Sequence, residues 1–153
     1  MSARILDGRA LALDYQKKIK NYLLSNNLEN KINLAVILIG NDQASKIYVQ
    51  NKQIACQNVG INPVEYLLSS DTSEQALLKL IDELNTDKNI HGILLQLPLP
   101  KHLADSKILA KILSSFNPNK DVDGFNPYNL GRLAQKFSII RPCTPKGIMK
   151  LLE

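Results

Sequence analysis

The amino-acid sequence predicts an α/β fold, a three-layer domain with a mostly parallel sheet covered by helices on both faces. Two observations carry this prediction. Apolar runs of strand length alternate along the chain with stretches whose apolar residues recur every three or four positions. The run LAVILI at 34–39 is apolar at both parities, which is typical of a parallel strand buried on both sides. A chain of 153 residues with 44% hydrophobic residues is long enough for one domain with a buried core.

The first half of the chain is predicted to run helix, strand, helix. A helical pattern of apolar residues follows Asp7 and ends at 26–27. The apolar strand at 34–39 comes next. A second helix then opens, for which Asp42 is the expected N-cap and Gly60 the expected C-terminal stop.

The alternation continues in the second half. Residues 63–68 predict a second strand. Thr72 is followed three residues later by Gln75, which is a capping-box signal for the start of a third helix. A third strand is predicted at 90–95, and a further helix through 108–113.

The character of the sequence changes after this helix. Residues 117–127 read NPNKDVDGFNP, a polar stretch that is long for a plain connection, and such loops are often functional. Beyond it, Thr144 as an N-cap and Pro145 as the first helical residue predict one more helix.

Composition and charge argue against several function classes. Trp is absent and aromatic residues make up 5%, so rings on which single-stranded nucleic acid stacks are scarce. The net charge of +5 comes from dispersed lysines, which suits a small anionic ligand or solubility alone. No apolar run approaches the roughly twenty residues of a membrane-spanning helix, and no apolar signal region is visible at the N-terminus. We expect a cytoplasmic protein without nucleic-acid or membrane partners.

The cysteines and histidines do not suggest a metal site. Cys56, Cys143, His91 and His102 lack the spacing of a tetrahedral zinc site, and we expect no metal. Two widely separated cysteines suit a reducing compartment.

The second predicted helix carries the first of three chemically distinctive segments. Ser45, Tyr48 and Lys52 stand at i, i+3 and i+7 and therefore share one helix face. This face lies near the C-terminal end of a strand, which is where ligands bind in open α/β sheets. The alternative is an ordinary amphipathic helix with a solvated lysine.

The second segment follows the third predicted strand, and the third segment follows the helix predicted through 108–113. In QLPLP at 96–100, two prolines fix the backbone and present Gln96 rigidly; the alternative is a plain strand exit. Asp121 and Asp123, two residues apart, are able to bind a cation or to hold a heterocycle through paired N–H donors; the alternative is an Asp-rich turn. Neither a G-x-G-x-x-G nor a Walker motif is present, so no residue pattern here cradles a dinucleotide.

Taken together, five blocks resemble the bifunctional methylenetetrahydrofolate dehydrogenase/methenyltetrahydrofolate cyclohydrolase family. The blocks are GNDQAS with YVxxK at 40–52, QLPLP at 96–100, PxKDVDGF at 118–125, NxGRL at 129–133 and PCTP at 142–145. They occur in the family's order and spacing, and the resemblance runs from Leu6 to Glu153.

The resemblance implies two reactions of one-carbon metabolism on tetrahydrofolate derivatives. Methylenetetrahydrofolate is oxidised to methenyltetrahydrofolate with NADP, and the product is hydrolysed to formyltetrahydrofolate. The alternative function is a non-catalytic folate-binding or interaction module.

The resemblance also implies a domain organisation. Residues 1–141 are the expected folate-binding catalytic domain, and 142–153 begin a linker helix toward an NADP-binding Rossmann domain that this chain lacks. The chain alone is therefore expected to lack the dehydrogenase step. We expect the longer protein to be a homodimer and this chain to be a monomer with some apolar surface exposed.

Residue roles follow from the same resemblance. The expected catalytic residues are Lys52, Gln96, Tyr48 and Asp121. Lys52 orients or activates the hydrolytic water, Gln96 hydrogen-bonds to Lys52, and Ser45 belongs to the same network. Asp121 accepts hydrogen bonds from the pterin.

Apolar contacts complete the expected folate site. Tyr48 stacks on the folate ring system, and Leu97 and Pro98 line the aminobenzoate path. Asp123 is expected to be structural, and 142–145 to shape the domain junction. The expected substrate-binding residues are thus Tyr48, Ser45, Leu97, Pro98 and Asp121.

Overall fold

A computed structural model of the chain describes residues 5–137 and 140–153. The regular elements over these residues alternate as predicted from the start of the chain to α4. They are α1 (Gly8–Ser25), β1 (Ile32–Ile39), α2 (Gln43–Val59), β2 (Ile61–Leu68), α3 (Glu74–Thr86), β3 (Gly92–Leu95), a 3-10 turn (Lys101–Leu103), α4 (Ser106–Ser114), α5 (Pro127–Ala134) and α6 (Cys143–Leu152).

The three strands form one parallel sheet in the order β2-β1-β3. Ala35 of the central strand lies opposite Val64 on one side and Ile93 on the other. Parallel neighbours need crossover connections, which α2 supplies between β1 and β2, and α3 and the segments around it between β2 and β3. The predicted parallel sheet is confirmed.

Both faces of the sheet are covered, because alternate residues of β1 point to opposite sides. On one side the odd-numbered residues 35–39 pack with Ile81 of α3 and Ile112 of α4, both fully buried. On the other side Val36 and Leu38 pack with Val49 of α2. Burying one such side chain stabilises the fold by about 1.5–3 kcal/mol. The three-layer architecture is therefore as predicted.

Helix α2 begins and ends at the predicted caps. The Asp42 side chain accepts a hydrogen bond of 2.7 Å from the backbone N–H of Ser45. Gly60 has a φ of 86°, the left-handed conformation that commonly ends a helix. These two caps fix where the helix that carries Tyr48 and Lys52 starts and stops.

The predicted cap of α3 is wrong by one residue. Ser73 is the N-cap, and its hydroxyl accepts a hydrogen bond of 3.2 Å from the N–H of Ala76. The hydroxyl of Thr72 instead donates to the carbonyl of Ser69, at 2.7 Å. Thr72 and Ser73 are adjacent and both carry a hydroxyl. The Ser73 hydroxyl caps the helix, and the Thr72 hydroxyl bonds within the preceding turn.

The C-terminal part also departs from the prediction. Helix α5 was not predicted; it starts at Pro127 behind Asn126, whose side chain accepts from the N–H of Tyr128. Helix α6 begins at Cys143 without a side-chain cap, so the predicted N-cap Thr144 already lies inside its first turn.

Some apolar surface remains exposed, as expected for this chain. Leu13, Ile19 and Tyr22 of α1 and Met149 and Leu152 of α6 are exposed. Within the described ranges, no helix combines the length and the apolar character that crossing a bilayer requires.

Candidate active site

A cleft of about 820 Å³ lies between α2 and the segments that follow β3 and α4. Four parts of the chain form its walls: one face of α2, the exit from β3, the loop before α5 and the start of α6. The chemically distinctive residues on these walls are Ser45, Tyr48, Lys52, Cys56, Gln96, Leu97, Pro98, Asp123 and Cys143. Six of the seven residues predicted from sequence thus meet at one place, although they come from separate elements.

The amine of Lys52 and the side chain of Gln96 form the polar centre of the cleft. Nζ of Lys52 donates a hydrogen bond of 3.0 Å to Oε1 of Gln96, and both groups are partly buried. Nε2 of Gln96 donates in turn to the carbonyl of Leu97, at 2.6 Å. Because this second bond occupies the N–H₂ end of the amide, the oxygen end faces Lys52. The hydrogen bond expected between the two residues is present.

Tyr48 lies one turn before Lys52 on the same face of α2. Its side chain lines the cleft and is 63% exposed, so the flat side of the ring is open to solvent. Across the cleft, the peptide bond between Leu97 and Pro98 is cis, and both side chains lie on the wall. An aromatic ring and two apolar side chains therefore flank the amine.

Ser45 is buried and lies in the first turn of α2. Its backbone N–H and its hydroxyl both bond to the carboxylate of Asp42, and together they hold the pKa of that carboxyl below its ordinary value. The expectation that Ser45 belongs to the hydrogen-bond network of Lys52 needs correction. Its hydroxyl bonds to Asp42 at the start of α2 rather than to Lys52.

The placement of Asp121 also needs correction. The residue is 5% exposed and is absent from the cleft wall. Oδ1 accepts from the N–H of Gly124 at 3.0 Å, and Oδ2 accepts from the N–H of Asn126 at 2.8 Å and from Nδ2 of Asn129 at 3.0 Å. Its carboxylate is occupied by the protein itself, so it is not free to bind a ligand.

Asp123, which we expected to be structural, lies on the cleft wall instead. In a straight strand, residues two apart point the same way, so the sequence alone treats Asp121 and Asp123 alike. The backbone turns at 122–123, and the bond from Gly124 back to Asp121 closes that turn. The turn separates the two carboxylates, and Asp123 faces the cleft.

The chain that forms this cleft also matches known proteins. The family model described as tetrahydrofolate dehydrogenase/cyclohydrolase, catalytic domain, matches residues 6–123. The chain belongs to this family. The resemblance drawn from the five sequence blocks is confirmed.

Individual members of the tetrahydrofolate dehydrogenase/cyclohydrolase family are similar over nearly the whole chain. The bifunctional protein FolD 1 of Hydrogenovibrio crunogenus is 47% identical over 154 residues, covering 99% of this chain and 53% of the relative. The solved bifunctional FolD methylenetetrahydrofolate dehydrogenase/cyclohydrolase of Campylobacter jejuni has a TM-score of 0.88 at 42% identity, covering 99% of this chain and 53% of that one. The chain spans about half the length of the curated relatives it matches.

A third relative was solved with ligands. The methylenetetrahydrofolate dehydrogenase-cyclohydrolase (FolD) of Trypanosoma brucei, in complex with NADP cofactor and inhibitor, has a TM-score of 0.87 at 31% identity. The match covers 99% of this chain and 52% of that chain. The two solved relatives, from Campylobacter jejuni and Trypanosoma brucei, thus share the fold that forms the cleft.

Residues 142–145 form a wall of the cleft in this tetrahydrofolate dehydrogenase/cyclohydrolase chain, although we expected them only at a domain junction. The thiol of Cys143 lies 3.8 Å from the carbonyl of Val122. Burial raises the pKa of this thiol, the charge of Asp123 and a hydrogen bond to it raise the pKa further, and Lys146 and Lys52 oppose the shift. Asp123 and Lys52 therefore both act on the thiol of Cys143 across the cleft.

A second thiol, that of Cys56, also lies on the cleft wall. Burial raises the pKa of Cys56, and the charge of Lys52 opposes this shift. Among the described residues, no three His, Cys, Asp or Glu side chains come together as ligands for a metal ion. What the cleft offers a ligand is an amine, an amide, a carboxylate, a thiol and an open aromatic ring.

Proposed function

We propose that the chain binds tetrahydrofolate derivatives in this cleft and that Lys52 serves the hydrolysis of methenyltetrahydrofolate to formyltetrahydrofolate. The observation that carries the proposal is the bond between Lys52 and Gln96 at the polar centre of the cleft. A binding module has no need for a partly buried amine held by an oriented amide. The curated relatives named bifunctional FolD support the same reaction class.

The folate is proposed to lie across the cleft from Asp123 to Pro98. The pterin edge presents adjacent N–H donors, which a free carboxylate such as that of Asp123 accepts well. Tyr48 offers its exposed ring for stacking, and Leu97 and Pro98 offer apolar surface to the aminobenzoate group. The net charge of +5 favours the approach of the anionic glutamate tail.

In the proposed hydrolysis, water attacks the cationic methenyl carbon that joins two nitrogens of the folate. The water oxygen forms a bond to that carbon, and one carbon–nitrogen bond then breaks to leave a formyl group on the other nitrogen. One proton is released overall. We propose that Lys52 orients this water or takes its proton and that the bond from Gln96 holds the amine for this role.

We assign NADP and the dehydrogenase step to a protein in which this chain is joined to a second domain. The segments that follow β1 and β3 read GND and QLPLP, and neither is the glycine-rich turn that holds a pyrophosphate. The residues of this chain therefore do not fit the cofactor, and no hydride step is assigned to them.

The domain boundaries are part of the same proposal. Residues 1–141 form the folate-binding domain, and 142–153 begin the helix toward the NADP-binding domain. We propose a homodimer for the two-domain protein and a monomer for this chain. Both free thiols, Cys56 and Cys143, suit a reducing compartment, and we propose the cytoplasm.

The test is a hydrolysis assay beside a binding titration. Methenyltetrahydrofolate hydrolysis is followed with wild type and Lys52→Met, in this chain and in a longer protein that contains it. We expect that the wild-type protein catalyses the hydrolysis and that Lys52→Met abolishes it. In calorimetry, the variant should still bind 5-formyltetrahydrofolate. Binding without hydrolysis in both wild-type proteins would instead indicate a non-catalytic folate-binding module.

A further inference from the structure

Asp121 is a buried charged residue for which the proposed hydrolysis has no use. Transfer of a carboxylate out of water is unfavourable unless hydrogen bonds replace the lost hydration. Three N–H donors do so here, from the backbone of Gly124 and Asn126 and from the side chain of Asn129. Bonds to a charged acceptor are stronger than neutral ones. Three such bonds on one buried carboxylate indicate that Asp121 fixes the position of the segments that donate them.

The positions of these donors in the fold show which segments Asp121 fixes. Gly124 and Asn126 follow Asp121 in the same loop, while Asn129 belongs to α5. Asn129 also donates to the carbonyl of Pro118, at 2.9 Å, and Asn126 donates to the carbonyl of Phe116, at 2.9 Å. Asp121 and its two asparagine partners thus join both ends of the loop 117–126 to α5.

The sheet side of the loop is fixed as well. The N–H of Ile93 donates to the carbonyl of Lys120 at 2.7 Å, which attaches the loop to β3. The amine of Lys120 donates to the carbonyls of Leu84 and Asp87 at the end of α3, at 2.8 and 2.7 Å. The backbone is therefore held on both sides of Asp123, at 120–121 and at 124.

We propose that Asp121 is a positioning residue, which closes the turn of the loop so that the carboxylate of Asp123 faces the cleft. Asp123 would meet the pterin, and Asp121 would act only through Asp123. The ligand part of this inference rests on the proposed function, whereas the placement of Asp123 beside Cys143 is a property of the free protein. The two parts call for separate readouts.

The first readout needs no ligand. The rate of Cys143 alkylation by iodoacetamide is followed against pH by peptide mass spectrometry, because Asp123 raises the pKa of this thiol. Asp123→Asn is expected to move the alkylation profile to lower pH, and Asp121→Asn to move it in the same direction. Asp105→Asn is the matched control, since that carboxylate accepts backbone N–H bonds at the start of α4, away from the cleft. It should leave the profile unchanged.

A milder variant covers the case in which Asp121→Asn does not fold. Asn129→Ala removes one of the three donors and keeps the carboxylate, and Asn129 does not line the cleft. It is expected to move the profile part of the way. A profile that moves in Asp123→Asn and stays in place in Asn129→Ala and in folded Asp121→Asn overturns the proposal. No movement in Asp123→Asn overturns the contact on which it rests.

The second readout is ligand selectivity, measured by calorimetry with 5-formyltetrahydrofolate and with p-aminobenzoylglutamate, which lacks the pterin. Asp121→Asn and Asp123→Asn are each expected to lower the affinity for 5-formyltetrahydrofolate by about tenfold or more. The affinity for p-aminobenzoylglutamate should stay within about twofold of that of wild type. The double variant should lose no more than either single one, since the two residues act in series. Equal loss of both ligands in Asp121→Asn would make the residue merely structural. If wild type binds neither ligand, the proposed function fails, and the alkylation profile still decides the positioning role.

Discussion

Lys52 and Gln96 lie 44 positions apart in the chain, and their contact is the most informative one in the cleft. Sequence reasoning identified both residue types, and the resemblance implied their hydrogen bond. It assigned the pterin to Asp121 rather than Asp123, because two carboxylates of the same kind stand in one short motif. Only the turn at 122–123 distinguishes them. Asp121 closes this turn while it is itself held by Asn129 of α5, and such a tertiary feature is not encoded in the local sequence.

The bond from Gln96 to Lys52 predicts a kinetic effect. Gln96→Met keeps the length of the side chain and removes both hydrogen-bonding ends, so the amine loses its partner. A hydrogen bond to a charged group is worth about 1.5–3 kcal/mol, so we expect hydrolysis to slow by about 10- to 100-fold. Steady-state assays should show the loss in kcat, because the amide holds the amine rather than the substrate. A pure rise in KM would assign Gln96 to folate binding.

The exposed ring of Tyr48 predicts a binding effect that separates the ring from its hydroxyl. Tyr48→Phe keeps the ring and should bind 5-formyltetrahydrofolate as well as wild type does. Tyr48→Leu removes the stacking surface, which is worth about 1–3 kcal/mol for a planar heterocycle. Calorimetry should therefore show a loss of about 10-fold or more in Tyr48→Leu alone. Equal losses in both variants would assign the effect to the hydroxyl.

The elements around the cleft were predictable to different degrees. Strands β1 and β2 are each two residues longer than predicted, and β3 begins two residues later, because a run of apolar residues shows burial more clearly than it shows the last ladder bond. Helix α5 escaped prediction because its eight residues include a glycine, and much of its support comes from Asn126 and the buried Asn129. Short elements held by tertiary bonds are hard to read from sequence.

Strand β3 predicts a stability effect at a single glycine. A Cβ at Gly92 would lie 2.6 Å from Cγ1 of Val122 and 3.1 Å from Cδ1 of Leu34, so Val122 packs against bare backbone. We expect Gly92→Ala to lower the free energy of unfolding by about 1–3 kcal/mol, as overpacking does. Urea unfolding followed by circular dichroism measures the change.

The matched control is Gly131→Ala, where nothing lies within 4 Å of the added Cβ. Alanine is about 1 kcal/mol more favourable than glycine inside a helix, so this variant should be slightly more stable than wild type. Gly92→Ala with wild-type stability would mean that Val122 is free to move away from β3.

As a whole, the described part of the molecule presents the cleft beside Lys52 and an unevenly covered surface. The family match, the parallel sheet and the cleft all lie within a chain that spans about half the length of its curated relatives. Apolar side chains on α1 and α6 stay exposed, while the centre of the sheet is fully buried. The proposed function assigns folate binding to this chain and cofactor binding to a separate domain.

This separation predicts that the 153-residue chain alone does not reduce NADP. The ends of the three described strands carry no glycine-rich turn for a pyrophosphate, so the cofactor lacks its main binding element there. Absorbance of NADPH, with methylenetetrahydrofolate as the substrate, measures the reaction. Robust reduction of NADP by the chain alone would contradict the proposed domain boundaries.

The central claim is that the cleft beside Lys52 is the folate site, and a crystal structure of the chain with 5-formyltetrahydrofolate tests it most directly. We predict that the folate ring system stacks on Tyr48, that its one-carbon group lies next to Nζ of Lys52, and that the pterin amino group lies within hydrogen-bonding distance of Asp123. Folate bound outside this cleft, or a pterin held by Asp121, would contradict it.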